Sequence, residues 1–549
     1  MIYKFKPFTL RRQTVLNILF LLIIASAITY LFYFSFPENL RIGYNADKQF
    51  SFPKKTIIFC INVLFLFVLF IKLSKWRLLP RFIFLFLLFL PSGMLCFLAL
   101  RYNAAFTRDF AFDILMTPWQ EAFAFISVYF LISCALFLLF FLILTAAIGK
   151  FKIHVLDIKS KKIKCSMNIL LLLVFIFGFK VYAYPQYTYY MAGVFFHRAY
   201  TNTLYFVKNY ELIKKNNEPF VLSKPLPQNS TFFFHIGESV RADHVPMNGY
   251  KRNTTPVMFR EFKKGNLFCF SRAISFWPQT SDSFVAMSTT ASISEPVIKD
   301  SGFLPYLKRT GIKSSAVFSG GAHKVLAIKL LTFSLEEQHF TNKRAHTALP
   351  QIEQLINSQG NNFIMYQGEG SHEPYETYDK ELFSVYMPVN FTNNADETTI
   401  NAYDNTIVCL DDFVKHIIDM LKDKNAVYLY ASDHGEALGE DGKWNRQAFL
   451  YKTHDVVRNI LFFIWVSDKF KMENAAKFAA LRRAGKFPCI SHDYVYHTIL
   501  GFYNIKNKFY NEKLDLFSEK SEPFTDNLPS SVPAGLRKFK FEQIQQSNQ

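Results

Sequence analysis

The sequence predicts a two-part chain, with five N-terminal transmembrane helices followed by an α/β domain whose mostly parallel sheet is sandwiched by helices. Three observations support this fold class. Half of the 549 residues are hydrophobic, and 30 of the 63 Phe residues crowd into the first third of the chain. Five long apolar segments lie in that third. From about residue 221, short apolar runs alternate instead with amphipathic stretches.

Each of the five apolar segments approaches the roughly 20 residues that a bilayer crossing requires. The second is short, between Lys55 and Lys72, and the fifth carries Lys180 near its end. Basic residues precede the first segment, as in a signal peptide, but its apolar run is too long and no clean cleavage site follows. It is therefore interpreted as an anchor. The five segments are approximately residues 14–36, 56–71, 81–100, 123–148 and 165–184.

The Lys and Arg residues around these segments predict their orientation. Fourteen lie on the side of the N-terminus and six lie in the two opposite loops. The positive-inside rule then places the N-terminus in the cytoplasm, and five crossings place everything after Tyr184 outside it. This distribution indicates that the net charge of +19 reflects contact with a membrane surface and not binding of nucleic acid. We expect a multi-pass membrane protein whose C-terminal domain is exported.

The predicted domains are a transmembrane domain (1–184), a joining segment (185–220), an exported domain (221–520) and a polar tail (521–549). The joining segment is rich in Tyr and Phe with scattered Lys and Arg, which suits the lipid headgroup layer. A helix packed on the exported domain is the alternative. The exported part has three cysteines, Cys269, Cys409 and Cys489, so at most one internal disulfide can form there.

Five apolar runs in the exported part predict buried strands, and residues 398–424 predict a long amphipathic helix. Strands that alternate with helices favour a parallel sheet covered on both faces, where ligands bind beyond the carboxyl ends of the strands. Three runs end in carboxylate, His or Gly residues: Glu238, residues 369–372, and Asp433-His434. We expect these side chains to meet. The runs are residues 231–239, 314–320, 362–372, 426–436 and 459–467.

Asp, Glu and His without Cys suit a divalent ion bound by oxygen and nitrogen, such as zinc or manganese. Gly435 and Gly439 allow the chain to turn after Asp433 and His434. The alternative interpretation is a capping box, in which Asp433 caps a following helix and His434 is only a polar neighbour.

The stretch "GESVRADHVPMNGYKRNTTP" (237–256) resembles the phosphoethanolamine transferases of Gram-negative envelopes, in the alkaline phosphatase/sulfatase superfamily. Their pattern reads GES-x-R-x-x-H, then GY-x-R-x-TTP. "GSHEPY" (370–375), "YDNTIVCLDDF" (403–413) and "SDHGEALGEDG" (432–442) resemble three further motifs of that family, in the same order. The five spans, joining segment and exported domain also follow its order. The resemblance implies a sulfatase-like, alkaline-phosphatase-like fold for the exported domain.

The resemblance implies a metal, usually zinc, held by Glu238, Asp433, His434 and a nucleophilic Thr. Thr280 matches best, because it follows Glu238 by a similar number of residues and is expected to open a helix whose first N–H groups favour a phosphoryl oxygen. A Thr in such a place is commonly only an N-cap. The neighbouring hydroxyls Ser281, Ser283 and Ser288 are alternatives.

The resemblance further implies that phosphoethanolamine passes from phosphatidylethanolamine to the Thr, and then to a lipopolysaccharide core sugar, lipid A or another envelope glycan. His372 is expected to hold the phosphoryl group or to protonate the leaving oxygen. Asp113 and Glu121 are candidates for binding the ethanolamine cation, although solvated loop carboxylates are the alternative. A phosphoglycerol transferase on the same scaffold and a non-catalytic membrane-anchored binding protein are the rival functions.

The pattern departs from the family after residue 442. Relatives that act on lipid A have a His about a dozen residues after DHGE and another before the next strand, whereas this chain has Arg446 and Asn459 near those places. His454 is the nearest His and is a candidate for binding metal or substrate. This departure leaves the acceptor open.

Overall fold

The computed structural model divides into two compact units, one built mainly from residues 1–200 and the other mainly from residues 201–549. In the first unit it describes residues 12–33, 52–102 and 128–150, with the single residues 169, 197 and 200. In the second it describes 201, 204, 207–211, 213–215, 217–275, 277–292, 297–320, 326–373, 375, 380–389, 397–440, 444–445, 455–525 and 540–541.

The first unit contains four described helices, which overlap the first four predicted spans. In the described residues, Leu131–Lys150 is the one stretch both long and apolar enough to cross a membrane, and the other apolar stretches are shorter. The fifth predicted span and Lys180 lie outside the described residues, so the count of five stays a prediction. The helices are α1 (Arg12–Tyr33), α2 (Phe52–Leu73), α3 (Leu78–Tyr102) and α4 (Val128–Lys150).

Helix α4 is apolar around its whole circumference. Phe141 is buried and packs against Phe89 of α3, with ring centroids 5.4 Å apart. Leu136 and Ile143 instead point out of the unit, and only 22% of the residues in the most apolar window of α4 are buried. An apolar surface of this kind suits contact with lipid.

The second unit is built on a seven-stranded sheet. The strands, including short pairs outside the sheet, are β1 (Phe220–Leu222), β2 (Ser230–Gly237), β3 (Leu267–Cys269), β4 (Ala273–Ile274), β5 (Val297–Ile298), β6 (Lys313–Ser319), β7 (Glu337–Thr341), β8 (Asn362–Gln367), β9 (Asn425–Ser432), β10 (Ala437–Leu438), β11 (Trp444–Asn445), β12 (Phe462–Val466), β13 (Ile490–Ser491), β14 (Ile505–Asn507) and β15 (Lys540–Phe541).

All five predicted strands are present, as β2, β6, β8, β9 and β12. The strand order in the sheet is β3-β12-β9-β2-β8-β6-β7. The five strands from β9 to β7 run parallel to one another. β12 pairs antiparallel with both β9 and β3, so it is the reversed strand of this sheet, and the sheet is mixed. The sequence does not predict β3 or β7. The first has three residues and the second, "EQHFT", lacks a continuous apolar run.

Helices cover both faces of the sheet, because the central strands are apolar on both sides. Phe232 and Phe234 of β2 belong to one core cluster, and Phe233 between them belongs to the other. Tyr210 and Ile213 of the predicted joining segment lie in the first cluster. The helices are α5 (Pro256–Lys264), α6 (Thr280–Ser288), α7 (Leu304–Arg309), α8 (Leu326–Leu331), α9 (Leu349–Ile356), α10 (Lys380–Phe383), α11 (Glu397–Leu421), α12 (Asp455–Arg458), α13 (Asp468–Glu473), α14 (Ala475–Ala484) and α15 (Asp493–Phe502).

Candidate metal centre

Glu238 and the Asp433-His434 pair meet at one edge of the sheet, as expected. Glu238 follows β2 and the pair follows β9, and these neighbouring strands are parallel up to Gly237 and Ser432. Parallel strands present their carboxyl ends together, which is where ligands bind in sheets of this kind. Because β12 is antiparallel, its first residues lie at this same edge, and the backbone oxygen of Leu461, just before β12, accepts from the amide of Ser432 at 3.0 Å.

Three ligand-type side chains form a buried cluster at this edge. One ligand atom each of Glu238, Asp433 and His434 lies within 4.8 Å of the other two. His434 Nε2 is 3.4 Å from Glu238 Oε1 and 3.3 Å from Asp433 Oδ2. The relative exposure of Glu238 is 6%, and that of the other two is 0%. Two carboxylates buried this closely require a compensating positive charge.

The imidazole of His434 is oriented for a metal. Its Nδ1 lies 2.9 Å from the backbone oxygen of Gly435, which can only accept, so Nδ1 carries the hydrogen. In the neutral imidazole the lone pair then lies on Nε2, on the side of the two carboxylates, which is the tautomer that a metal-binding His has. Asp433 Oδ1 accepts from the amides of Ser239 and His434, which turns Oδ2 towards Nε2. The donor set therefore fits a divalent ion.

The capping-box interpretation of Asp433 is wrong, because no helix begins directly after it: residues 434–436 are irregular and residues 437–438 form a strand. This segment instead turns into the short strand β10, with Gly439 at φ +111°. Gly435 is packed too closely for a side chain, since a Cβ there would lie 2.2 Å from the backbone oxygen of Val456. Gly435 thus permits the close approach at the turn after His434, and Gly439 permits the left-handed conformation after β10.

Thr280 lies beside the cluster. Helix α6 begins at Thr280 as predicted, but Gln279 occupies the N-cap position and makes no side-chain cap bond. The Thr280 hydroxyl Oγ1 instead donates to Glu238 Oε2 at 3.2 Å, so Thr280 does not serve as an N-cap. The first-turn amides of α6 have no acceptor within the helix and add positive potential at Thr280.

The alternative hydroxyls have other positions. Ser283 is fully buried, and its Oγ lies 3.1 Å from the backbone oxygen of Trp277 and 3.3 Å from Ser275 Oγ. Ser288 is buried at the end of α6, and Ser281 is half-buried. Of these four hydroxyls, that of Thr280 contacts a carboxylate of the cluster.

A second layer of polar residues, which the sequence does not reveal, supports the cluster. Ser275 Oγ donates to the backbone oxygen of Asp433 at 2.6 Å, and Ser432 Oγ donates to that of His434 at 2.9 Å. His492 Nε2 lies 2.8 Å from the backbone oxygen of Ser432. Burial lowers the pKa of His492 to about 4, so its imidazole is neutral and Nε2 donates.

The residue that follows Glu238 adopts an uncommon conformation. Ser239 has φ +62°, in the left-handed region that non-glycine residues rarely occupy. Its backbone oxygen accepts from Tyr403 Oη at 2.7 Å, and its side chain donates to Glu238 Oε1 at 2.8 Å. The backbone oxygen of Glu238 accepts from the amide of Ser371 at 3.0 Å. These bonds fix Glu238 between β9, α11 and the turn after β8.

Asp404, in the YDN motif on α11, connects residues of the 237–256 stretch. Asp404 is fully buried, and its Oδ1 lies 2.7 Å from His244 Nδ1. Its Oδ2 accepts from Tyr250 Oη at 2.7 Å and from Arg252 Nη1 at 2.8 Å. The motif residues are thus held together by one carboxylate, a structural role that spacing alone did not reveal.

Of the remaining candidate residues, the structure describes His372. His372 lies in the turn after β8, with Nδ1 2.6 Å from the backbone oxygen of Glu373. His454, Asp113 and Glu121 lie outside the described residues. Their roles stay predictions.

A family model described as sulfatase matches residues 230–505. Phosphoethanolamine transferase EptA of Helicobacter pylori is 25% identical over 511 residues, which cover 84% of this chain and 89% of its own. EptA of Escherichia coli O157:H7 is 26% identical over 295 residues, which cover 50% of this chain. The match spans about half of the length of that relative, 53%.

The same fold occurs in a solved structure of an integral membrane protein, lipooligosaccharide phosphoethanolamine transferase A (EptA) from Neisseria meningitidis. That structure covers 91% of this chain and 98% of its own, with a TM-score of 0.62 and 20% sequence identity.

Proposed function

The chain belongs to the sulfatase family, and we propose that it is a membrane-bound, metal-dependent phosphoethanolamine transferase. The main observation behind this proposal is the hydrogen bond that the Thr280 hydroxyl donates to Glu238. This bond places Thr280 beside the buried cluster of Glu238, Asp433 and His434. The four motifs and the similarity to the two EptA proteins support the choice of phosphoethanolamine as the transferred group.

We propose that Glu238, Asp433, His434 and Thr280 hold the metal, with Zn²⁺ favoured and Mn²⁺ possible as a substitute. Two carboxylates and a neutral imidazole suit either ion. When bound, the metal lowers the pKa of a coordinated hydroxyl and neutralises charge on phosphoryl oxygens.

In the first half-reaction, Thr280 Oγ1 attacks the phosphorus of phosphatidylethanolamine. An Oγ1–P bond forms, the bond from phosphorus to the diacylglycerol oxygen breaks, and diacylglycerol leaves. The hydroxyl proton of Thr280 faces Glu238 Oε2, which is positioned to accept it. The first-turn amides of α6 bind a phosphoryl oxygen. His372 protonates the leaving oxygen.

In the second half-reaction, an oxygen of an acceptor hydroxyl or phosphate attacks the same phosphorus. The new oxygen–phosphorus bond forms and the Oγ1–P bond breaks. Glu238 returns the proton to Thr280 Oγ1, and His372 takes the proton of an acceptor hydroxyl.

The acceptor is a lipopolysaccharide core sugar, lipid A or another envelope glycan. His454 binds metal or substrate, and Asp113 and Glu121 bind the ethanolamine cation. The catalytic domain is periplasmic and the N-terminus cytoplasmic, so that the donor lipid is taken from the outer face of the inner membrane.

The test is mass spectrometry of the full-length protein after exposure to phosphatidylethanolamine, with peptide mapping. We expect a phosphoethanolamine adduct on Thr280, absent in Thr280→Ala and retained in the neighbouring control Ser281→Ala. Turnover in Thr280→Ala should fall by about a thousandfold or more, because the nucleophile is lost.

Four outcomes would contradict parts of the proposal. An adduct on Ser281 would move the nucleophile, and a phosphoglycerol adduct would change the donor. A folded, metal-loaded protein that is active without any adduct would exclude the covalent intermediate. A protein that is folded and metal-loaded but inactive would favour a binding protein.

A further inference from the structure

A second cluster of ligand-type side chains lies on the outer side of α11. Asp412 and His416 are four residues apart on this helix, and His346 belongs to the short 3₁₀ helix Ala345–Ala348. One ligand atom of each lies within 4.8 Å of the other two. None of the proposed catalytic steps uses these residues, although Asp412 lies within the motif stretch of residues 403–413.

The distances match those of a metal site. His346 Nε2 is 2.9 Å and His416 Nε2 is 3.4 Å from the same oxygen, Asp412 Oδ2. In a tetrahedral site with metal–nitrogen distances of about 2.0–2.1 Å, two ligand atoms lie about 3.3–3.4 Å apart. Only small side-chain movements are needed to bring these atoms onto one ion.

The cluster is open to solvent on one side. The side chains of His346, Asp412 and His416 are 28%, 36% and 41% exposed, respectively. An ion can therefore enter from water, and a water molecule can complete the coordination. Partial burial also lowers the local dielectric constant, which strengthens binding relative to a fully exposed surface.

The ring of His346 is held in place from several sides. It stacks on Phe383 with centroids 5.3 Å apart, and it meets the ring of Phe413 edge-on at 6.0 Å. Its Nδ1 lies 3.9 Å from Cys409 Sγ. Cys409 therefore contacts Nδ1, while Nε2 faces Asp412. The contact with Cys409 orients the ring and leaves Nε2 to bind the ion.

We propose that His346, Asp412 and His416 form a second binding site for a divalent transition ion that favours nitrogen ligands, such as Zn²⁺. An ion here would link the 3₁₀ helix to α11. Because α11 also carries Tyr403 and Asp404, which hold Ser239 and the 237–256 stretch, binding stabilises the helix that supports the candidate metal centre. The proposal does not depend on which reaction that centre catalyses.

The test is the zinc content of the full-length protein, measured by elemental analysis after equilibration in a zinc-buffered solution. His346→Ala/His416→Ala should bind one zinc fewer per chain than the wild type, whatever the occupancy of the Glu238 centre. The control His339→Ala removes a half-exposed His paired with Glu337 alone, and should bind as much zinc as the wild type. Equal zinc content in all three proteins would overturn the proposal.

A milder variant guards against misfolding of the double variant. His416→Gln keeps a polar side chain at the most exposed position, so the fold is expected to be retained. Its zinc affinity at this site should fall by more than about tenfold, measured by calorimetric titration of an Asp433→Asn background with zinc alone. Unchanged affinity in a folded His416→Gln protein would overturn the proposal.

Discussion

Asp404 shows how much of the structure around the site depends on one side chain. It is fully buried and accepts hydrogen bonds from Tyr250 and Arg252, while its other oxygen lies against His244. Removing the carboxylate charge would leave Arg252 without its buried partner. Breaking a buried pair by changing one member costs several kcal/mol, far more than breaking an exposed pair.

We therefore predict that Asp404→Asn lowers the free energy of unfolding by about 3 kcal/mol. The matched control is Glu397→Gln, because Glu397 pairs with the same Arg252 at 3.2 Å but its side chain is 79% exposed. This control should cost less than about 1 kcal/mol. Denaturant titrations of the two variants measure both values, and equal losses would refute the role assigned to Asp404.

The burial of His235 predicts that the free energy of unfolding depends on pH. His235 lies inside the sheet on β2, with Nδ1 2.8 Å from Tyr428 Oη and the rings of Tyr366, Phe413 and Tyr430 around it. Burial lowers its pKa to about 3, whereas an unfolded His titrates near 6.5. Between these pH values the unfolded chain binds the extra proton, so stability decreases as the pH falls from about 6.5 towards 3.

His235→Phe should reduce the slope of unfolding free energy against pH in this window by about 1.4 kcal/mol per pH unit, the effect of one proton. Tyr428→Phe is the control, because it removes the same hydrogen bond and keeps the imidazole. It should lower stability by about 1 kcal/mol without changing the slope. The measurement is a set of denaturant titrations between pH 4 and 7. An unchanged slope in His235→Phe would contradict the prediction.

At the scale of elements, α11 connects parts of the exported domain that are distant in sequence. Besides Asp404, it contributes Asp411, whose two oxygens accept from the amides of Val257 and Met258 at 2.8 and 2.9 Å. These are first-turn amides of α5, which have no acceptor within their own helix. Thr255 occupies the N-cap position of α5 but makes no side-chain cap bond. Asp411 thus caps α5 from another helix.

Asp411→Ala should therefore lower the free energy of unfolding by about 1–2 kcal/mol, the usual cost of losing an N-cap. Thr255→Ala, at the position where a local cap would stand, should cost less, because the Thr255 hydroxyl bonds only to Met247 Sδ at 3.7 Å. Thermal or denaturant unfolding of both variants distinguishes them. A larger loss in Thr255→Ala would show that the cap is local.

The antiparallel direction of β12 also positions backbone groups at the candidate metal centre. A parallel β12 would begin at the far edge of the sheet from Glu238. The antiparallel strand instead begins beside the cluster, where the amide of Leu461 donates to the backbone oxygen of Val240 and that of Gly435 donates to the backbone oxygen of Val457. The turn that presents Asp433 and His434 is thus supported from the segment leading into β12.

At the scale of the whole molecule, the distribution of Lys and Arg predicts a periplasmic catalytic domain. An alkaline phosphatase reporter joined after Tyr210 should be active, and a reporter that works only in the cytoplasm should be inactive there. The matched control is a junction after Lys152, in the predicted cytoplasmic loop, where the two reporters should behave in the opposite way. Cytoplasmic activity at the Tyr210 junction would show that the fifth span, with Lys180, does not cross.

The sequence by itself determined the five main strands, the long helix α11 and the start of α6 at Thr280. It also determined that Glu238, Asp433 and His434 meet. These features follow from local signals: apolar runs of strand length, amphipathic periodicity, and polar residues placed directly after strands whose carboxyl ends share an edge.

Only the tertiary structure decided the direction of β12, the capping of α5 by Asp411, the connections made by Asp404 and the cluster around Asp412. Asp411 lies 153 residues or more from the amides that it caps, and Asp404 lies at least 152 residues from its partners. Such contacts leave no periodic or neighbouring signal in the sequence, because they arise only when packing brings distant elements together.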